Sequence, residues 1–148
     1  MNKNLSESNF NIWHLIGKVH HSLMRARQKE LNPYHIPARQ AYVLRTIQAL
    51  GTKATLSELA EKVERKENVI SRQTVKMEND GLIKRIKDTP KSNLLRLELT
   101  EKGLEMIKIS KRSKSIDKVF SYFSEEERQQ FESALNLILV KLEENNLI

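Results

Sequence analysis

The residues of this chain best equipped for chemistry lie between Asn68 and Lys76, where Asn68, Ser71, Arg72, Val75 and Lys76 recur at helical spacing. On a helix these positions fall on or beside one face. That face suits the edges of base pairs. A guanidinium such as Arg72 can donate two bonds to guanine, an amide such as Asn68 pairs with adenine, and Val75 can touch a thymine methyl. Ser71 can bond bases or phosphate. Ile70, Thr74 and Met77 share the opposite face and are expected to pack inward. An ordinary solvated face has the same composition, so the elements that hold this helix must decide.

Upstream, Thr55 and Glu58 form a Thr-x-x-Glu capping box ahead of Leu56, Leu59, Ala60 and Val63, the pattern of a short amphipathic helix. The polar turn Glu64–Lys66 leads directly into a helix from about Glu67 to Asp80, which Gly81 stops. Leu82–Lys87 and Leu94–Leu99 then read as strands, the second alternating Leu95, Leu97 and Leu99 against Arg96 and Glu98. Asp88–Asn93 between them is a turn-rich polar tip. Two short helices joined by a tight turn and followed by a hairpin make a winged helix-turn-helix, whose second helix normally lies in the DNA major groove.

The hairpin is basic, with Lys84, Arg85, Lys87, Lys91 and Arg96 against Asp88 between its ends. Such a wing contacts phosphates or the minor groove and makes affinity salt-dependent. Clustering beside the reading helix carries this inference, not any single lysine. The candidate DNA-binding set is Thr55, Ser57, Asn68, Ser71, Arg72, Val75, Lys76, Arg85, Lys87 and Lys91.

The flanks are helical. Phe10–Leu31 carries Ile12, Ile16, Val19 and Leu23 in one stripe and Trp13, Gly17, His20 and Met24 in a second. Two adjacent stripes suggest a helix gripped from two sides, as at a subunit boundary; a central core helix is the plainer alternative. Pro33 closes it, Pro37 opens the next helix, and Gly51 caps that one. Thr100 caps a long helix expected from Glu101 to about Tyr122. Ser124–Glu127 is a second capping box, opening a final helix with Phe131, Leu135, Ile138 and Leu142 on one face. The expected fold is mainly α with a small two- to three-stranded wing. Residues 1–148 form a single domain in this reading, with a winged helix-turn-helix lobe over 37–100 and dimerisation helices over 5–31 and 115–148.

Composition narrows the classes. The 148 residues carry 26 Lys plus Arg against 19 Asp plus Glu, a net charge of +7 that favours a polyanionic or acidic partner. With no cysteine there is no disulfide scaffold, thiol chemistry or cysteine zinc site. The longest apolar run, Leu137–Val140, falls far short of the roughly 20 residues of a membrane helix. The first residues lack the apolar core of a signal peptide, so a cytoplasmic location without membrane attachment is expected. There is no phosphate-binding glycine loop, no Gly-x-Ser-x-Gly elbow and no His-Glu-x-x-His pair, which argues against an enzyme. His14, His20, His21 and His35 do not make a zinc set with convergent partners, so neither metal nor other cofactor is expected.

In order and spacing the chain resembles the MarR (multiple antibiotic resistance regulator) family. The matching stretches are Leu31 with Ile36-Pro37-x-x-Gln40-x-x-Val43-Leu44, then Leu56-Ser57-Glu58-Leu59-Ala60, then Ser71-Arg72-x-x-x-x-Met77-Glu78-x-x-Gly81-Leu82-Ile83-x-Arg85, and finally Leu99-Thr100-Glu101-Lys102-Gly103. The resemblance implies a homodimeric transcriptional regulator, in many members a repressor, joined through its terminal helices. It also implies a pseudo-palindromic operator in double-stranded DNA and a small phenolic or anionic effector held between the dimerisation helices and the DNA-binding lobe. His14, His21, Arg25 and Tyr42 are the candidate effector contacts in that setting. Two features depart from the family. Its wing tip usually bears an acidic residue and two arginines where this chain has Lys91, Ser92 and Asn93. Its turn before the reading helix commonly has glycine and a capping serine where this chain has Glu64 and Lys66. A winged helix that mediates protein contacts without specific DNA binding is the alternative reading. Asn68, Ser71 and Arg72 argue against the apolar outer face it would need.

Overall fold

A computed structural model describes residues 3–112 and 114–148. The chain divides into two compact units, residues 1–113 and 114–148.

The first unit opens with helix α1 (Lys3–Leu31). It starts earlier than the apolar stripe indicates, because periodicity marks only the turns that carry apolar residues, and nothing between Lys3 and Asn9 breaks a helix. From Asn4 to Ser22 every residue of α1 is exposed, including Phe10, Ile12, Trp13 and Ile16. Its apolar face is therefore not buried within this unit, and α1 is not a core helix of it. Its last turns are anchored differently. Leu31 is buried with Ile36, Ala38 and Ala41, against half-buried Met24, Met106 and Ile109.

A short 3-10 turn, Asn32–Tyr34, leads to α2 (Ala38–Leu50). No side chain of its own caps α2; Gln28 of α1 does so. The Gln28 Oε1 accepts from the Ala38 amide at 2.8 Å, and its Nε2 donates to the Ile36 carbonyl at 3.2 Å. Gly51, at φ 91, closes the far end as its spacing predicts. The capping box forms as read. The Thr55 hydroxyl accepts from the Glu58 amide at 3.2 Å and Glu58 accepts from the Thr55 amide at 2.9 Å, starting α3 (Leu56–Lys62). Helix α4 (Glu67–Asn79) follows, and Gly81 turns the chain into the hairpin β1 (Ile83–Lys87) and β2 (Leu95–Leu99).

The hairpin is antiparallel, with Ile83 opposite Leu99 and Lys87 opposite Leu95. A single bridge between Thr55 and Arg96 takes the place of a third strand, reinforced by the Leu97 amide donating to Ala54 at 2.8 Å. One core lies among these elements, built from Leu44, Ile47, Leu59, Ile70, Met77, Leu82, Leu97 and Ile107 with their neighbours.

Helix α5 (Glu101–Ser110) is capped by Thr100, whose hydroxyl accepts from the Gly103 amide at 3.1 Å. It ends at Ser110 rather than running to Tyr122. The Arg27 guanidinium of α1 takes the Ser110 carbonyl, the acceptor that the next helical turn would require. Gly103 is a requirement of packing, since a Cβ there would collide with the carbonyl oxygen of Leu82.

The second unit contains α6 (Ser115–Phe120) and α7 (Glu125–Glu144). Ser124 and Glu127 close the expected capping box. Phe131, Leu135 and Ile138 are exposed within this unit, and Leu142 is half-buried. A helix with no buried residue gains nothing from its apolar side until something covers it.

Candidate nucleic-acid interface

Helix α4 divides as its spacing predicts. Ile70, Thr74 and Met77 are buried, while Asn68, Arg72, Val75 and Lys76 are exposed. The Arg72 guanidinium lies back along its own helix, with Nε donating to the Asn68 carbonyl at 3.4 Å. Among the described residues its terminal nitrogens have no partner, which leaves them available to a ligand.

Ser71 is half-buried and faces the wing. Its hydroxyl accepts from Arg85 Nη2 at 3.2 Å. The Arg85 backbone amide donates to Glu78 Oε2 at 2.6 Å, a second tie between α4 and β1. Arg85 is thus half-buried at the seam between reading helix and wing, with its Nε shielded from solvent. Arg96 behaves similarly: it is half-buried and its guanidinium pairs with Asp88. Two of the five wing cations are therefore spent on holding the hairpin. Lys84, Lys87 and Lys91 stay exposed, Lys84 directly opposite Glu98 on the paired strand.

The wing tip is an ordered turn. The Ser92 amide donates to the Thr89 carbonyl at 3.0 Å, with Pro90 and Lys91 as the central residues. Proline presets the first central position. The Ser92 hydroxyl then accepts from the Leu94 amide at 3.1 Å, so the serine stabilises the turn and Lys91 is the cation its apex displays.

At the other edge, Ser57 is exposed on the first turn of α3 and donates to Glu67 Oε2 at 3.1 Å. Thr55 is only 9% exposed and its hydroxyl belongs to the capping box. It shapes the start of α3 and offers little surface to a partner. The turn between α3 and α4 carries the departures noted in the sequence. Glu64 takes a left-handed conformation at φ 50, and Lys66 stands at the N-cap of α4 without a side-chain bond to it.

The proposed effector residues are not assembled by the chain itself. His14, His21 and Tyr42 are exposed, and Arg25 borders an open depression along α1 with Ser22, Gln28 and Lys29. Among the described residues no hydrogen bond or ion pair joins any two of the four, and His14 stacks on Phe10 with ring centroids 6.2 Å apart. Among the described residues no three His, Asp or Glu side chains gather as metal ligands. No described helix is long and apolar enough to cross a membrane.

Sequence reasoning missed Gln28 and Glu67 as contributors to this lobe, and read Thr100 only as the cap of α5. Thr100 donates through Oγ1 to the Gly81 carbonyl at 2.6 Å, and Lys102 donates to the Asp80 carbonyl at 2.7 Å. Together they pin the end of α4 to the start of α5. The cap was legible from Thr100 itself, but nothing local hinted at the hydroxyl's partner across the fold.

The sequence model of the MarR family matches residues 36–90, from the approach to α2 as far as the wing tip. That stretch is similar to the MarR family. Solved structures share the chain's fold. The S. aureus MepR–DNA complex is 20% identical, with 87% of this chain and 96% of that chain aligned at a TM-score of 0.78. A cysteine-substituted E. coli MarR complexed with operator DNA is 19% identical, covering 89% and 96% at 0.79. The organohalide-sensing RdhR-CbdbA1625 transcriptional regulator in its 2,4-dichlorophenol-bound form is 26% identical, covering 93% and 83% at 0.77. No curated protein matches the sequence. Residues 36–90 thus lie in a winged helix whose second helix and hairpin are the parts described above, similar in fold to these proteins.

Proposed function

We propose that this chain is a homodimeric, sequence-specific DNA-binding transcriptional regulator, a repressor of the cytoplasm rather than an enzyme. Its operator is a pseudo-palindrome contacted by two winged helices. The observation that carries this reading is the exposed row Asn68, Arg72, Val75 and Lys76 on α4, rigidly tied through Ser71 to a wing that displays Lys87 and Lys91. In this reading Arg72 and Asn68 meet base edges, while Lys76, Lys87, Lys91 and Ser57 meet phosphates. Arg85 sets the angle of the wing.

The dimer is proposed from α1 and α7, each of which leaves an apolar face exposed within its own unit. Helices of this kind are stabilised chiefly by packing of their apolar side. A small phenolic or anionic effector that relieves repression is supported by the ligand-bound regulator of similar fold.

Selection of bound sequences from a random duplex library tests the proposal. The expected product is a pseudo-palindrome whose half-sites lie about one helical turn, roughly 10 base pairs, apart. Recovery of no preferred sequence would overturn it in favour of a protein-contact module.

A further inference from the structure

The bond between Ser57 and Glu67 joins the first turns of α3 and α4 across the outer edge of the helix-turn-helix. Ser57 Oγ donates to Glu67 Oε2 at 3.1 Å, and both residues are exposed. The first helix of such a pair crosses the DNA backbone, and the early residues of the second enter the groove. A hydroxyl placed like that of Ser57 is a natural donor to a phosphate oxygen. Here its proton is already held by a carboxylate. Among the described residues Glu67 makes no ion pair with a lysine or arginine.

We propose that Glu67 limits the lobe's affinity for duplex DNA by competing with DNA phosphate for Ser57. The inference rests on the DNA-binding reading and deepens it. A duplex seated on α3 and α4 must take the Ser57 hydroxyl away from Glu67 and bring phosphate close to its carboxylate. Both costs are the same on every sequence. A site that also satisfies Asn68 and Arg72 repays them through base contacts. A random duplex has only its phosphates to offer and cannot. Glu67 thereby lowers affinity for every duplex by about the same factor, so that at a given protein concentration only a site with base contacts stays occupied, in a lobe whose wing supplies a sequence-independent attraction.

The test is Glu67→Gln in the full chain. It preserves size, removes the charge and leaves only a neutral amide oxygen, a weaker acceptor that releases the Ser57 hydroxyl more readily. Binding to the selected operator and to a scrambled duplex is followed by fluorescence anisotropy over a salt series. Affinity for the scrambled duplex is expected to rise roughly three- to tenfold at low salt, with the log–log salt slope steeper by about one. Affinity for the operator should rise by about the same factor, so that the ratio of the two is unchanged while the scrambled duplex becomes occupied at lower protein concentration. In a Ser57→Ala background the gain from E67Q should shrink, because the hydroxyl that Glu67 withholds is gone. Four outcomes are informative. The rise, with its dependence on Ser57, supports the proposal. Wild-type-like behaviour of E67Q on a chain that does bind DNA overturns it alone. Loss of discrimination at one base pair, without a general rise, overturns it by making Glu67 a base reader. Absence of salt-dependent duplex binding by wild type and variant alike overturns the DNA-binding reading together with this inference.

Discussion

The Arg85 guanidinium donates to the Ser71 hydroxyl at 3.2 Å, so the wing's first strand is bonded to the helix that would read DNA. The arginine's backbone amide makes a second tie, to Glu78 on the same helix. A residue whose charge suggests phosphate contact is therefore part of the joint between the two DNA-facing elements.

Arg85→Ala should cost about 1 kcal/mol of stability, the usual worth of a hydrogen bond. Arg85→Lys should lose a similar amount although it keeps the charge, because an ammonium on a flexible stem does not reproduce the planar fork. Urea denaturation of the three proteins checks this. A lysine variant as stable as wild type would show that charge, not the bond to Ser71, is what matters at this position.

Glu64 holds a left-handed conformation at φ 50 that a residue with a Cβ adopts at a cost. Glu64→Gly should stabilise the chain by about 1 kcal/mol, whereas Glu64→Ala should bring no such gain. Thermal unfolding monitored by circular dichroism distinguishes them. Equal midpoints for the glycine and alanine variants would mean that the turn relaxes without strain.

Gly103 sits where any side chain would strike the Leu82 carbonyl at the base of the wing. Gly103→Ala should destabilise the lobe by about 1–3 kcal/mol, the range for forced overpacking. Alanine is otherwise the better helix former, so the sign of the change is decisive. A more stable alanine variant would show that α5 slides away from Leu82 without loss.

These positions show where the sequence was legible. Both capping boxes, Thr55 with Glu58 and Ser124 with Glu127, could be read directly because their partners lie three residues apart. The buried face of α4 was legible for the same reason: Ile70, Thr74 and Met77 repeat at helical spacing. The cap on α2 was not, since Gln28 reaches it from another helix. Nor was the end of α5, where Arg27 takes the Ser110 carbonyl from far along the chain. The wing divided along the same line. Its basic character was evident, but side-chain pairing decided that Arg85 and Arg96 face inward while Lys87 and Lys91 face out.

The exposed stripe of α1 gives a prediction about assembly. Ile16 and Val19 lie 40% and 41% exposed on a helix whose apolar side nothing in its unit covers. The wild-type chain should sediment as a dimer, and Ile16→Glu should shift it toward monomer with its helical content largely kept. Analytical ultracentrifugation over a concentration series measures this. A monomeric wild type, or an I16E dimer of unchanged strength, would remove α1 from the interface.

The most direct test of the account compares wild type and Arg72→Ala on the selected operator and on a scrambled duplex, with salt raised from about 50 to about 200 mM. Wild type should prefer the operator throughout while affinity falls steeply with salt on both duplexes. R72A should lose roughly 1–3 kcal/mol on the operator and much less on the scrambled duplex, so that discrimination narrows at one base pair. Equal binding of wild type to both duplexes, or an R72A variant with undiminished discrimination, would contradict the claim that this face of α4 reads DNA sequence.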